Sequence, residues 1–262
     1  MLRKYSILFA FILFSVIFTS YASSATKKQQ QQQEEPVYVA NFTYTPDTQA
    51  APGSAGVTFS VENTILNYQP DTKMKLLWFK SVQLANLPEA VKKDISGLLA
   101  AKGFNVRGPF GSYDLIPYQD KKAIDLFLVP NFGLSLTLPD EISDTNNIKV
   151  EVTGRMNLEL REIATRELMW SKNIPLTKFE VPFVIKMFKF STVQQAKDWP
   201  GGTIIVGDLE YMEPKQNIVN ELAKGLEKQY PDLMATISKL IDPEEMRIIR
   251  KQCQELKSKK GY

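Results

Sequence analysis

Histidine is absent from all 262 residues, and cysteine occurs once, at Cys253. The first absence removes the commonest general base and metal ligand. Ser-His-Asp, Cys-His and HExxH chemistries are therefore excluded, and a metal site is not expected. The second rules out an intrachain disulfide, even in an exported compartment that permits one, so the fold must hold by its core. Without a histidine to activate it, Cys253 reads as a small packed hydrophobe. Phosphate loops are missing too. "DWPGGTIIVGD" carries Gly201, Gly202 and Gly207 outside the GxGxxG or GxxxxGK[ST] spacing and reads as a turn and a strand. No cofactor is expected. Charge of one sign is also lacking: 32 basic residues against 29 acidic give a net +3, which does not suggest nucleic-acid affinity.

Long apolar runs are scarce. The one at the start, Ile7 to Phe18, is interrupted by Ser15 and reaches about half to two-thirds of the roughly 20 residues a spanning helix needs. Arg3 and Lys4 precede it, and Ser20-Tyr21-Ala22 and Ser23-Ser24-Ala25 follow with small residues. Positive start, short apolar middle and small-residue exit predict a cleaved signal peptide over residues 1–25. The stretch has no cysteine, so lipoprotein processing at this end is excluded. Residues 26–56, with five consecutive glutamines and Pro36, Pro46, Pro52, Gly53 and Gly56, read as a polar leader: a solvated tether, or alternatively a short edge strand formed by Val37-Tyr38-Val39 and Phe42-Thr43-Tyr44. Residues 57–262 are expected to form one domain.

Within it, "GVTFSVEN" and "KMKLLWFK" read as strands. "NLPEAVKKDISGLLAAKGFNV" is a helix capped by Asn86, with Pro88 and Glu89 in its first turn. Val91, Ile95, Leu98 and Leu99 lie on one face, and Gly103 ends it in the left-handed conformation. "AIDLFLVPNFGLSLTL" shows two apolar runs broken at Pro130–Gly133. "IKVEVTGRMNLELREIATRELMWSKNIPL" alternates through Val150, Val152, Met156, Leu158 and Leu160, turns at Ala164–Glu167 and returns through Leu168, Trp170 and Ile174, a hairpin pattern. The last 50 residues are helical, with Ile218, Val219, Leu222 and Leu226 on one stripe and a kink or break at Pro231. A final helix is capped by Asp242, with Pro243 at the first helical position, Glu245 at the capping-box position and Met246, Ile249, Cys253 and Leu256 on its buried face. The fold class is α+β: a mostly antiparallel sheet, one helix in the first half, and a C-terminal helical layer packed on it.

Two clusters are candidates for contact or chemistry. "KFEVPFVIKMFKFS" gathers Lys186, Phe188, Lys189 and Phe190. It is either a core strand with a loop packed over it or a strip touching lipid or a partner, lysines toward phosphates. "LPDEISDTNN" holds Asp140, Glu141 and Asp144, whose spacing matches no calcium loop and reads as a solvated turn. No catalytic constellation is assembled, so a non-catalytic protein is expected.

In order, "LNYQP", "KLLWF", "KKDISGLLAAKGFNV", "LFLVPNFGLSLTLPD", the "IKVEV" hairpin, Gly201-Gly202 and the closing "QELKSKKGY" resemble the neuraminyllactose-binding hemagglutinin family, also described as flagellar sheath adhesins, of Helicobacter-type bacteria. The likeness runs from about Leu66 to the C-terminus. It implies an exported, adhesin-like protein of the outer membrane, cell surface or flagellar sheath, with envelope proteins or a host-surface ligand as partners. The alternative is a structural or assembly accessory of the periplasm and outer membrane. Two departures stand out. Members resembling this chain are commonly lipoproteins, and the lipid-bearing cysteine is missing here. Where the family has a basic sialic-acid motif this chain has Asp140, Glu141 and Asp144, which repel a sialate carboxylate, so sialic-acid binding is not carried over.

Overall fold

Alternation at every second residue makes the longest strand. Ile148, Val150, Val152, Met156, Leu158 and Leu160 all turn one way and are buried. Between them Lys149, Glu151, Thr153, Arg155, Asn157 and Glu159 turn the other way, as a period of two requires. In the computed structural model, the structure describes residues 36–70, 82–139, 148–183, 185–190, 209–214 and 217–260. The expected signal peptide, "KMKLLWFK", the acids Asp140, Glu141 and Asp144, and Gly201-Gly202 lie outside them. The chain divides into residues 1–36 and a unit spanning Val37–Tyr262, to which everything below belongs.

Seven strands form the main sheet: β1 (Thr58–Val61), β2 (Ile65–Pro70), β3 (Asn105–Val106), β4 (Leu126–Thr137), β5 (Ile148–Glu162), β6 (Leu168–Pro175) and β7 (Phe179–Phe183). β4 and β5 are the antiparallel centre, Leu126 opposite Glu162 and Thr137 opposite Glu151. β1 and β2 run end to end along β4, and β6 and β7 end to end along β5. The hairpin expected from alternation is β5–β6.

The α+β class holds, but the sheet is mixed where a mostly antiparallel one was expected. β1 and β2 pair with β4 in parallel, and β3 pairs with β1 in parallel. The helix α1 (Leu87–Ala101) supplies the reason. It carries the chain from the end of β2 back to the starting end of the sheet, the crossover that parallel pairing needs. The expected interruption at Pro130 is absent too, since β4 runs through it. β1 ends opposite Leu128 and β2 begins opposite Asn131, so the residue without an N–H sits in the gap between two neighbours and costs no ladder bond to either.

One face of the sheet carries the long helices. Val91, Ile95, Leu98 and Leu99 of α1 are fully buried, and Gly103, at φ +83°, ends the helix as expected. Asn86 sits at the N-cap without capping; its amide donates instead to the Ala40 carbonyl at 2.6 Å. α3 (Asn217–Leu240) runs unbroken through Pro231, contrary to the expected kink or break. Tyr230, Leu233, Met234 and Ile237 are buried on both sides of it, and packing of that kind offsets the roughly 3 kcal/mol a helical proline costs. α4 (Pro243–Lys260) is capped by Asp242, whose Oδ1 accepts the Glu244 and Glu245 N–H groups at 2.9 Å. Glu245 does not close a capping box; it accepts the Trp170 indole N–H at 3.0 Å and so ties α4 to β6.

From Val37 on, the leader read as solvated is a strap on these helices. Ala40 and Phe42 are buried, Phe42 lies edge-on to Tyr230 at 5.3 Å, and the Tyr38 N–H donates to Asn220 at 3.1 Å. Alternation within "VYVANFTY" supplies the buried side of the strap. The pieces Val37-Tyr38-Val39 and Phe42-Thr43-Tyr44, read alternatively as an edge strand, form this strap without strand pairing.

Candidate functional site

Among the described residues the opposite face of the sheet is only partly covered. At the end where β4 begins, residues 107–124 fold over it. Phe127 and Val129 of the sheet and Ile163 of the β5–β6 turn are buried with Ile116 and Ile124 beneath that cover, with Phe110 and Tyr113 packed alongside. The cover includes the six-residue helix α2 (Tyr118–Ala123). It is pinned from the other side of the molecule by Lys92, a buried lysine whose ammonium donates to Asn63 Oδ1 at 2.7 Å and to the Phe110 carbonyl at 2.8 Å.

Beyond the cover the face opens into a groove of about 860 Å³ crossing four strands. Its floor is amide and hydroxyl. Asn131, Asn157 and Asn173 stand directly opposite one another on β4, β5 and β6, at the roughly 4.8 Å spacing of neighbouring strands. The next row places Asn67, Gly133 and Arg155 side by side, and the one after it holds Ser135 and Thr153. Ser171 donates to Asn157 Oδ1 at 3.2 Å, and the Asn157 amide donates to Glu159 at 3.1 Å.

Among the described residues the groove lining is electrostatically neutral apart from one cation, Arg155. Glu159 on its margin is held by Arg161 through Nε at 3.1 Å and Nη2 at 2.6 Å, and Glu151 is paired with Lys178. Among the described residues no carboxylate lies within ion-pairing distance of Arg155. A surface of donors and acceptors around one guanidinium suits a hydroxyl-rich ligand held by many modest hydrogen bonds, each contributing about 1 kcal/mol.

The titratable groups perturbed by burial lie elsewhere. Glu162 is fully buried at the β5–β6 turn. Burial pushes its carboxyl up, but the N–H groups of Ala164 and Thr165, the Thr165 hydroxyl and the Lys257 charge outweigh that, and the net shift is down. Asp94 is shifted up by burial against the lowering effect of the Tyr230 hydroxyl bond at 2.9 Å. Burial, with Glu162 next, pushes the Cys253 thiol up to about 12. All three serve the core. Among the described residues no group of three or more acids or cysteines could hold a metal ion.

The residues singled out from sequence fall outside this groove. Lys186, Phe188, Lys189 and Phe190 belong to β8 (Ile185–Phe190), which pairs with β9 (Leu209–Pro214) in a separate two-stranded sheet. The backbone register sets Lys186 opposite Glu213 and Lys189 opposite Glu210; their side chains lie outside the described residues. The groove residues were visible as the polar half of the alternation in "NFGLSLT" and "TGRMN", Asn131, Gly133, Ser135 and then Thr153, Arg155, Asn157. Nothing in one strand announces that its polar side meets three others.

Fold and surface together define an α+β protein with one helix-covered sheet face and one open polar face. The crystal structure of a neuraminyllactose-binding hemagglutinin homolog from Helicobacter pylori matches 83% of this chain and 99% of its own, with a TM-score of 0.56 and 13% identity. At that identity the likeness is one of fold. A Xanthomonas campestris protein of family DUF330 covers 84% of this chain and 99% of its own at 11% identity, with a TM-score of 0.38, too low to bear on the fold. No family model matches the chain. A 69-residue stretch, 26% of this chain, is 42% identical to CTP synthases of Campylobacter jejuni, and the match spans 12% of their length. Among the described residues no helix is long and apolar enough to cross a membrane.

Proposed function

We propose that this is an exported, non-catalytic, adhesin-like protein of the cell envelope that binds a hydroxyl-rich partner in the open sheet groove. The observation that carries the reading is the open face itself, with Asn131, Asn157 and Asn173 in one row, Arg155 beside them, and the three long helices α1, α3 and α4 on the other side. Burying such a face in a core would leave amides unpaired at a cost of about 1–3 kcal/mol each; open, they are available to a ligand. The fold shared with a protein described as a neuraminyllactose-binding hemagglutinin homolog, and the sequence pattern of a signal peptide, support export and surface binding. The groove works without a reactive group. It holds rather than transforms.

The test is a printed array of defined glycans probed with labelled wild-type protein and with an Asn131→Ala, Arg155→Ala, Asn157→Ala variant. The reading expects binding to one glycan class, reduced at least tenfold in the variant at unchanged thermal stability. No binding by the wild type, or equal binding by the variant, contradicts it.

A further inference from the structure

The two most exposed large apolar side chains among the described residues are Tyr118 at 72% and Leu115 at 69%. They stand three residues apart in the cover segment, and Lys121 and Lys122 follow at once. Single exposed apolar residues need no explanation; a pair of this kind beside paired lysines does. A third, Leu168, half exposed, follows the β5–β6 turn, which reaches the same segment through the Tyr113 hydroxyl on the Ala164 carbonyl at 3.4 Å and the Arg166 bond to Asp114 at 2.6 Å.

The charges here are sorted. Asp114 is taken by Arg166 and Asp120 by Arg107, at 2.6 and 3.0 Å. Among the described residues Lys121 and Lys122 have no carboxylate partner; their ammonium groups lie over the rings of Tyr113 and Tyr118, at 4.0 and 4.7 Å from the ring centres. Arg166 also lies on the Tyr113 ring, 3.7 Å from its centre. The patch thus carries two uncompensated positive charges around a tyrosine and a leucine, on a pedestal fixed by Ile116, Ile124, Phe127, Val129 and Ile163. Apolar tips ringed by lysines complement a negatively charged bilayer surface, where tyrosine settles at headgroup level and each lysine attracts anionic lipid.

We infer that this end of the sheet, Leu115, Tyr118, Lys121 and Lys122, is a docking surface for an anionic lipid membrane. The inference is independent of what the groove binds. It places lipid contact here and not on Lys186, Phe188, Lys189 and Phe190 of β8, where the backbone register sets Lys186 opposite Glu213 and Lys189 opposite Glu210.

Flotation with phosphatidylglycerol-containing vesicles tests it, using the protein in the form cells accumulate, with phosphatidylcholine vesicles in parallel. The wild type is expected to float with the anionic vesicles and far less with the neutral ones, and to be released as salt is raised. Lys121→Glu with Lys122→Glu should weaken partitioning by at least about tenfold, and Leu115→Ser with Tyr118→Ser by a comparable factor, with circular dichroism and thermal midpoint unchanged. Lys121→Gln with Lys122→Gln, a milder change, should give an intermediate loss. Lys186→Glu with Lys189→Glu should leave flotation intact. The inference is overturned if the wild type does not prefer anionic vesicles, if the paired glutamate variant floats as well as the wild type, or if the β8 variant loses binding instead. It is equally overturned if the substitutions only convert a dimer to a monomer in light scattering, which would make the patch a self-association surface.

Discussion

Asn131 and Asn157 stand opposite each other on antiparallel neighbours, β4 and β5, with both side chains lining the groove beyond the α2 cover. Their inward-facing neighbours, Phe132 and Met156, are just as directly opposed and are buried. The same two strands therefore build a core and a polar surface from one alternation.

If Asn157 belongs to a binding surface and not to the scaffold, Asn157→Ala should cost little. Glu159 keeps Arg161, and the change in unfolding free energy measured by urea titration should stay within about 0.5 kcal/mol. A loss above about 2 kcal/mol would make the asparagine row a structural network.

Glu162 sets an acid limit on stability. Its carboxyl titrates lower in the folded chain than in the unfolded one, so its contribution is present above the unfolded value, near 4.3, and is lost as pH falls through the lower folded value. Glu162→Gln, which turns an amide toward N–H groups that need acceptors, should destabilise by about 2–4 kcal/mol at neutral pH. Wild type and variant should converge in acid. Parallel curves at every pH would contradict this.

Gly225 lies in the middle of α3, where alanine is ordinarily better by about 1 kcal/mol. Here a Cβ would fall 2.2 Å from the Phe179 ring of β7. Gly225→Ala should therefore destabilise by about 1–3 kcal/mol. A rise in the thermal midpoint would show that the ring moves aside freely.

Cys253 is buried, with its thiol raised to about 12. It should resist maleimide at pH 7 in the native protein and react promptly in guanidinium, as followed by mass spectrometry. Rapid native labelling would mean that α4 leaves the sheet.

What was legible in the sequence followed from short-range periods. The β5–β6 hairpin, the face of α1, the Gly103 terminus and the Asp242 cap all rest on patterns of two to four residues, and all are found in the structure. What was missed depends on distant pairing. Parallel β1 and β2 required knowing where α1 returns the chain. Asn86 and Glu245 sit in capping positions, but their side chains are drawn to Ala40 and Trp170, 46 and 75 residues away. The groove is the extreme case: Asn67, Asn131, Arg155, Asn157 and Asn173 come from four strands, each of which alone shows only an ordinary solvent side.

Because the native thiol is buried, a single cysteine placed in the groove reports on that face alone. Treating intact cells that express Asn157→Cys with a membrane-impermeant maleimide asks whether the open face meets the exterior. Labelling of the variant on intact cells, with none of the wild type, is the expected result. Labelling only after the outer membrane is permeabilised would contradict a surface binder and leave the periplasmic accessory in its place.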